Sequence, residues 1–176
     1  MDDIILQLPQ PILHHILRYL PEEEAVRTCL LSKSWRYLGS TRPNFDMREI
    51  EFKGSKQEFI NLLERCLQLY HDHKICPQEF FLSMTKPDSE SVLFLYKWIP
   101  VLARDWAVEA FSLSFETRAN AFFDLPSVLF ESESLQSLYL TGCNLSRVSC
   151  FDKEILSVNL KELCLSNVFI TEDILE

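Results

Sequence analysis

Apolar residues near the start of the chain recur at a helical spacing. On a helix with 3.6 residues per turn, the apolar positions of residues 12–20 occupy an arc of about 140°. These positions are Ile12, Leu13, Ile16, Leu17 and Leu20. His14, His15, Arg18 and Tyr19 are assigned to the other side, so we expect the two histidines to be solvated rather than to act as ligands or bases.

Two further helices are predicted after this one. Pro21 ends the first helix and opens the second, where the three glutamates that follow it complement the helix dipole. Ser32 is predicted to cap a short third helix that carries Trp35 and Leu38. Because three short helices make a poor core on their own, part of the apolar stripe should be covered by another domain or another protein.

The next stretch predicts a strand followed by a helix. Residues 47–52, MREIEF, interleave apolar and charged positions as a half-buried strand does. Ser55 and Glu58 have the spacing of a capping box, which predicts a helix start. The apolar face of that helix would consist of Phe59, Leu62, Leu63, Cys66, Leu67 and Tyr70.

A second strand and helix are predicted further along. Residues 79–84, EFFLSM, predict the strand, and Asp88 is the expected cap of a helix through VLFLYKWI. Pro100 should end or kink this helix. Since the helix is apolar on nearly all sides, it is expected to lie between other elements.

One apolar spacing occurs three times in the second half of the chain. VEAFSLSF at residues 108–115, LQSLYLTGCNL at 135–145 and LKELCLSNVFI at 160–170 start 27 and 25 residues apart. This period lies within the leucine-rich repeat range of about 20–29 residues. In each unit a short strand would place alternate side chains inward, and the strands would stack as a parallel ladder. The predicted inward residues are Leu138, Leu140, Leu163 and Leu165.

The residues around these leucines have separate predicted roles. Asn144 follows the strand of its unit and is placed to bond the backbone of the bend. Residues that alternate with the leucines should face outward, where a target protein could contact them. The candidate target-binding residues are Gln136, Ser137, Tyr139 and Thr141.

Residues 8–38, LPQPILHHILRYLPEEEAVRTCLLSKSWRYL, resemble an F-box of the plant type. Gly39 stands where many plant members have a second tryptophan. The resemblance implies that this segment docks on the Skp-type adaptor of cullin–RING ubiquitin ligases. The implied adaptor-binding residues are Leu8, Pro9, Ile12, Leu13, Ile16, Leu20, Leu31, Ser32 and Trp35.

Residues 125–145 are similar to plant leucine-rich repeats that follow an F-box. The predicted fold is therefore α+β, with an N-terminal three-helix F-box followed by a short α/β leucine-rich repeat solenoid. The predicted domains are the F-box at 1–48, a mixed helix and strand region at 49–104, and an incomplete repeat array at 105–176. Relatives usually continue with more repeats, which indicates either a fragment or truncated product or a last unit that frays.

The two resemblances together imply a function. The chain would be a substrate-receptor subunit of an SCF-type cullin–RING ubiquitin ligase, with the F-box holding the adaptor and the repeats holding a target protein. The alternative is a truncated F-box protein that binds the adaptor without recruiting a target. The expected location is intracellular, in the cytoplasm, the nucleus or both, and the identity of the target stays open.

Composition and charge narrow the remaining function classes. The chain has 176 residues and a net charge of −9, which argues against nucleic-acid binding. It has neither a run of eighteen apolar residues nor a basic N-terminal region, so we expect no membrane span and no secretory signal. Three glycines are too few for glycine-rich phosphate loops.

No catalytic or metal site is predicted, and neither is a cofactor. The six cysteines form no C-x-x-C pair and are expected to be buried, reduced thiols. Cys66, His71, His73 and Cys76 lie close together, but their spacing matches no common zinc finger. The histidines follow the expected end of a helix, where they would interact with its negative dipole. The chain is therefore predicted not to be an enzyme.

Overall fold

The computed structural model describes residues 4–20, 24, 28, 32–40, 44–72, 76–116, 122–146 and 159–170 of a mixed α/β chain. Its helices are α1 (Gln10–Arg18), α2 (Lys33–Ser40), α3 (Lys56–Asp72) and α4 (Ser89–Pro100). Its strands are β1 (Asn44–Arg48), β2 (Glu79–Met84), β3 (Ala110–Phe115), β4 (Phe123–Asp124), β5 (Ser137–Thr141), β6 (Cys143–Asn144) and β7 (Glu162–Ser166). Short 3-10 turns cover Ile4–Gln7, Glu49–Glu51 and Ser127–Glu131.

In the described part of the chain, five parallel strands form one sheet whose order follows the chain: β1, β2, β3, β5 and β7. The register aligns Phe45, Phe80, Phe111, Leu138 and Leu163 across the sheet. Phe111 precedes Leu138 by 27 residues, and Leu138 precedes Leu163 by 25, which are the spacings of the sequence repeats. Strands β4 and β6 pair in a separate two-stranded ladder.

Alternate side chains of the sheet fill a continuous core. The rings of Phe45 and Phe80 stack at 5.1 Å between centroids, and those of Phe80 and Phe111 at 5.4 Å. Leu138 continues this buried row. Fully burying one such side chain stabilises the fold by about 1.5–3 kcal/mol before entropy is counted. Helices α3 and α4 contribute to the same core through Leu63, Leu67, Leu95 and Ile99.

The predicted strand at residues 47–52 is wrong in its position. The strand is β1, which includes Phe45 and Met47 as its two buried residues, and a 3-10 turn replaces the rest of the predicted stretch. Ile50 comes three residues after Met47, and a strand cannot place both on one face because its side chains alternate. The side chain of Ile50 is 67% exposed.

The predicted starts of α3 and α4 are confirmed by side-chain hydrogen bonds. The Ser55 N–H donates to Glu58 Oε2 at 2.8 Å, and the Glu58 N–H donates to Ser55 Oγ at 3.3 Å. At α4 the Ser91 N–H donates to Asp88 Oδ1 at 3.0 Å, and the Asp88 N–H donates to Ser91 Oγ at 2.8 Å. Each helix therefore begins on a reciprocal capping box.

The predicted end of α4 is confirmed, but its surroundings differ from the prediction. The α-helix ends at Pro100, and a π-helical turn follows, Val101–Asp105, which the Trp106 N–H closes by donating to the Val101 carbonyl at 2.9 Å. The helix is not enclosed, since Leu93 is 71% exposed and Tyr96 is also exposed. None of the described helices combines the length and the apolar composition needed to cross a membrane.

The N-terminal helices build a second, smaller core. Leu13 and Leu17 of α1 pack with Trp35 and Leu38 of α2, and Leu20 packs against this cluster. Most of the predicted second helix, together with Leu31, lies outside the described residues. Glu24 and Thr28 are described and helical, and the Thr28 hydroxyl donates to the Glu24 carbonyl at 2.7 Å.

The last strand of the described sheet is more exposed than predicted. Leu138 and Leu140 of β5 are buried as expected, but Leu163 of β7 is 46% exposed and Leu165 is half-buried. The prediction that Leu163 is buried is therefore wrong. Strand β7 has one paired neighbour among the described strands, so its leucines are covered from one side only.

Candidate functional site

The start of α1 depends on its proline rather than on a capping side chain. Pro9 precedes the helix with extended backbone (φ −54°, ψ 141°) and has no side-chain cap hydrogen bond. Its carbonyl accepts from the N–H groups of Ile12 at 2.9 Å and Leu13 at 3.2 Å. This geometry brings Leu8 and the preceding 3-10 turn to the beginning of the helix.

The apolar stripe of α1 divides into a buried side and an exposed side. Leu13 and Leu17 face the small core. The exposed side carries Ile12 and Ile16, which are 47% and 38% exposed. Ile5 and Leu8 precede these residues in the chain and Tyr19 follows them, at spacings of three or four residues, and all three are also exposed. We call this set, Ile5, Leu8, Ile12, Ile16 and Tyr19, the α1 row.

The predicted adaptor-binding residues therefore fall into three groups. The exposed ones are Leu8, Pro9, Ile12, Ile16 and Ser32. Leu13 and Trp35 are buried in the small core, and Leu20 is half-buried against it. Leu31 lies outside the described residues. Adaptor contact stays a prediction for all of them, and the structure separates those that could touch a partner directly from those that hold the helices together.

Sequence reasoning missed two members of the α1 row, Ile5 and Tyr19. Both continue the spacing of Leu8, Ile12 and Ile16, and that continuation was the signal that could have identified them. His15 is exposed, as predicted, and its ring lies edge-on to Tyr19 at 5.0 Å between centroids.

Ser32 has the local role that its position predicts. The Trp35 N–H donates to Ser32 Oγ at 3.2 Å, so Ser32 caps α2. The cap fixes the start of the helix that carries Trp35 and Leu38 into the small core. Ser32 can therefore affect adaptor binding through the fold as well as through contact.

The second candidate surface is the outer face of the sheet, opposite the core. Its middle row is set by the strand register and consists of Asp46, Phe81, Ser112, Tyr139 and Cys164. All of these side chains are half-buried or exposed. Three of the predicted target-binding residues, Ser137, Tyr139 and Thr141, belong to β5 and face this side. Their role in binding stays a prediction.

Gln136 immediately precedes β5 and forms part of the ladder. Its N–H donates to the Glu109 carbonyl at 2.7 Å, and its own carbonyl accepts from the Lys161 N–H at 2.7 Å. Its side-chain Oε1 also accepts from Lys161 Nζ at 2.8 Å. Gln136 thus joins β3 to β7 and is less free to contact a target than Tyr139.

Two side chains on the outer face are fixed by their neighbours. The Tyr139 hydroxyl donates to Glu162, and this hydrogen bond raises the pKa of Tyr139 above its usual value. The Ser137 hydroxyl donates to the same carboxylate at 3.4 Å. Nearer the other edge of the same face, the guanidinium of Arg48 lies 4.8 Å from the centre of the Phe81 ring.

The turn after β6 behaves as the repeat pattern predicts. The Ser146 N–H donates to Asn144 Oδ1 at 3.0 Å, so the asparagine bonds the backbone of the bend. Its amide also donates to Asp124 Oδ1 at 2.6 Å, which links β6 to β4. Asn144 therefore has a structural role in this turn.

The cysteines divide by burial. Cys66 and Cys143 are buried free thiols, and burial raises the pKa of Cys143 to about 12, which makes it a poor nucleophile. Cys76 and Cys164 are exposed, so the prediction that all six are buried is wrong for these two. His73 of the cluster considered for zinc lies outside the described residues, and within them no group of three or more His, Cys, Asp or Glu could hold a metal ion.

Comparison with known proteins gives the context of the two surfaces. The F-box domain profile matches residues 5–46, which include α1 and α2. An F-box/LRR-repeat protein of Arabidopsis thaliana is 29% identical over 97% of this chain and 32% of its own length. A putative F-box/FBD/LRR-repeat protein of the same plant is 28% identical over 100% of this chain and 35% of its own length.

A further F-box/LRR-repeat protein of Arabidopsis thaliana is 33% identical over 78% of this chain and 29% of its own length. The chain thus spans about a third of the length of these relatives. No solved structure matches the chain significantly.

Proposed function

We propose that this chain, an F-box protein homologous to plant F-box/LRR-repeat proteins over most of its length, is a substrate-receptor subunit of an SCF-type ubiquitin ligase. The F-box would bind the Skp-type adaptor, and the sheet region would bind a target protein. The observation that supports adaptor binding most strongly is the α1 row, because the small core leaves these five large apolar side chains in solvent.

The finer architecture is part of the same proposal. We take the N-terminal segment as a three-helix F-box and the sheet region as a short α/β leucine-rich repeat solenoid. The parallel strands, their order along the chain and the 27- and 25-residue spacings support the solenoid. The proposed domains stay at residues 1–48, 49–104 and 105–176, although β1 at the end of the first is hydrogen-bonded to β2 of the second.

In this proposal the chain is a non-catalytic scaffold. It would hold the target near the ubiquitin-charged partner of the ligase, which raises the effective concentration of target lysines. Transfer of ubiquitin would then take place on other subunits, with the chain located in the cytoplasm, the nucleus or both.

The adaptor interface can be tested on residues that the small core does not need. Ile12→Glu and Ile16→Glu place a charge in the α1 row, and each should weaken binding to a purified Skp-type adaptor about thirtyfold or more. The reason is that losing a buried interface anchor costs about 2 kcal/mol or more. Isothermal titration calorimetry with the full chain gives the affinities.

The matched control is Leu93→Glu, because Leu93 is also an exposed apolar residue on a helix, but on α4. It should bind the adaptor like the wild type. Circular dichroism should show equal helix content in all three variants. Wild-type affinity in both α1-row variants would overturn the interface.

A second experiment separates a substrate receptor from an F-box protein that only occupies the adaptor. Affinity purification of the tagged chain, with and without proteasome inhibition, should recover the adaptor, the cullin and a ubiquitylated protein that accumulates under inhibition. Ile12→Glu should lose all three together. Recovery of the adaptor without cullin or ubiquitylated protein would favour a competitor and contradict the receptor function.

A further inference from the structure

The outer face of the sheet contains a trough along β3. Its floor is β3, whose outward side chains are the small Ala110, Ser112 and Ser114. Its walls are Phe81 on β2 and Tyr139 on β5, which the register aligns with Ser112 on either side. Since neighbouring strands lie about 4.8 Å apart, the backbones of the two aromatic residues are about 9–10 Å apart.

This separation suits one flat group between the two rings. A planar group above β3 would lie about 4.8 Å from the backbone of each flanking strand, and cation–π contact extends to about 6 Å from a ring centre. The Arg48 guanidinium already lies 4.8 Å from the centre of the Phe81 ring, so the protein contains this contact at the same residue. Arg48 comes from β1, whereas the trough lies on the β3 side of Phe81.

The charges around the trough favour a cation. Arg48 is neutralised by its own neighbours, because it binds Asp46 at 3.2 Å and lies 3.6 Å from Glu51. The remaining charged residues of the strands on this face are Glu79 on β2 and Glu162 on β7, in the row that the register aligns with Ala110. Glu79 lies beside the trough, and Glu162 lies one strand beyond its Tyr139 wall. Lys161, next to Glu162, binds the side chain of Gln136. Neither glutamate has an ion-pair partner among the described residues.

Glu162 is held in place to accept a further hydrogen bond. Tyr139 and Ser137 both donate to its Oε2 atom. Among the described residues, no donor reaches Oε1 of this carboxylate. The tyrosine that forms one wall of the trough therefore also orients a carboxylate beside it, and a guanidinium has both the flat faces and the N–H groups to use the two features together.

We propose that this trough receives an arginine side chain of a cationic, extended segment of the target protein, stacked between Phe81 and Tyr139 and hydrogen-bonded to Glu162. The inference rests on the proposed function, since it gives the chemistry of the target that the sheet region would bind. A serine-lined floor leaves room for the arginine stem, and the acidic chain as a whole attracts a basic segment.

The test uses the full chain and a short glycine–serine peptide with one central arginine. Nuclear magnetic resonance titration should shift the amide signals of β3 and β5. Replacing the arginine by citrulline, which keeps the shape but removes the charge, should weaken binding about threefold to thirtyfold. A lysine peptide should bind more weakly than the arginine peptide, because an ammonium group lacks the flat faces.

Variants of the chain locate the site. Tyr139→Ala and Glu162→Gln should each weaken the arginine peptide about threefold or more. Tyr139→Phe keeps the ring but loses the hydroxyl that orients Glu162, so its affinity should lie between those of the wild type and Tyr139→Ala. Glu90→Gln removes an exposed carboxylate on α4 and should have no effect. Equal binding of the arginine and citrulline peptides, or equal affinity of the Glu162→Gln and Glu90→Gln variants, would overturn the inference.

The same variants separate this inference from the proposed function. Ile12→Glu should bind the arginine peptide like the wild type, and Glu162→Gln should bind the adaptor like the wild type. If the wild-type chain binds the adaptor but not the arginine peptide, only the arginine site in the trough is rejected. If it binds the arginine peptide but not the adaptor, only the proposed adaptor binding is rejected.

Discussion

Helices α1 and α2 share a small core of Leu13, Leu17, Trp35 and Leu38, whereas the strands from β1 to β5 and helices α3 and α4 enter one continuous core. The difference lies in how many elements are available to cover an apolar face. Within the described residues, α2 covers only part of the stripe on α1, and the α1 row remains exposed. A segment with so small a core can therefore present a partner with apolar surface that a larger core would have buried.

The two regions also differ in how their helices begin. Helices α3 and α4 start on reciprocal capping boxes, in which side chains satisfy the first N–H groups. Helix α1 starts after Pro9 without a side-chain cap. Because a short helix is marginal without caps or packing, α1 should depend more strongly on its few buried contacts than α3 or α4 does.

The largest effect is expected in the middle of the sheet. Phe111→Ala should lower the free energy of unfolding by about 3–5 kcal/mol, since the ring is fully buried and stacks on Phe80. Urea denaturation followed by tryptophan fluorescence gives the value, because Trp98 and Trp106 belong to the same core. Ser112→Ala changes the next residue, on the outer face, and should stay within about 0.5 kcal/mol. Equal losses would contradict the assignment of the two faces.

A smaller and more local effect is expected in the N-terminal core. Leu17→Ala should cost about 2–3 kcal/mol, because a small core can partly collapse into the space left by the side chain. Hydrogen exchange should show loss of protection in α1 and α2 and unchanged protection in β2, β3 and β5. The neighbouring Ile16→Ala, at an exposed position, should cost less than about 1 kcal/mol. If Leu17→Ala also exposed the sheet amides, the two regions would unfold as one unit.

The sequence predicted the elements whose signals are local. Strands β2, β3, β5 and β7 follow apolar alternation, and the starts of α3 and α4 follow from capping residues that bond within one turn. The residues of the α1 stripe were also predictable. Which of them face solvent was not, because that depends on where α2 packs, and the packing places Leu13 inward and Ile12 outward.

The predictions that were wrong or missing also depend on neighbours that are distant in the chain. Leu163 has the spacing of Leu138, yet it is exposed because burial in a ladder depends on neighbours on both sides, and spacing cannot give their number. The trough between Phe81 and Tyr139 could not be read from the sequence either. Those residues are far apart in the chain, and only the strand register aligns them across Ser112.

The smallest expected effect concerns the N-cap of α4, since side-chain caps are found at the helices of the large core and not at α1. Asp88 accepts from the Ser91 N–H and hydroxyl, and one of its oxygens lies 2.8 Å from Lys56 Nζ. Asp88→Ala removes both the cap and the ion pair and should cost about 1–2 kcal/mol. Asp88→Asn keeps a capping acceptor and loses the charge, so it should cost less than about 1 kcal/mol. Thermal unfolding measured at neutral pH gives both values.

The pH dependence of the free energy of unfolding isolates the contribution of the negative charge on Asp88. Burial alone would raise the pKa of Asp88, but the hydrogen bonds from Lys56 and Ser91 outweigh it and lower the pKa from 3.8 to about 2. The folded state thus favours the carboxylate, so this contribution to stability is present above pH of about 4 and is lost as the pH falls toward about 2. The stability difference between the wild type and Asp88→Asn should shrink over that interval. A difference that stays constant from neutral pH down to about pH 2 would show that the amide and the carboxylate act only as caps and that the Lys56 ion pair adds nothing.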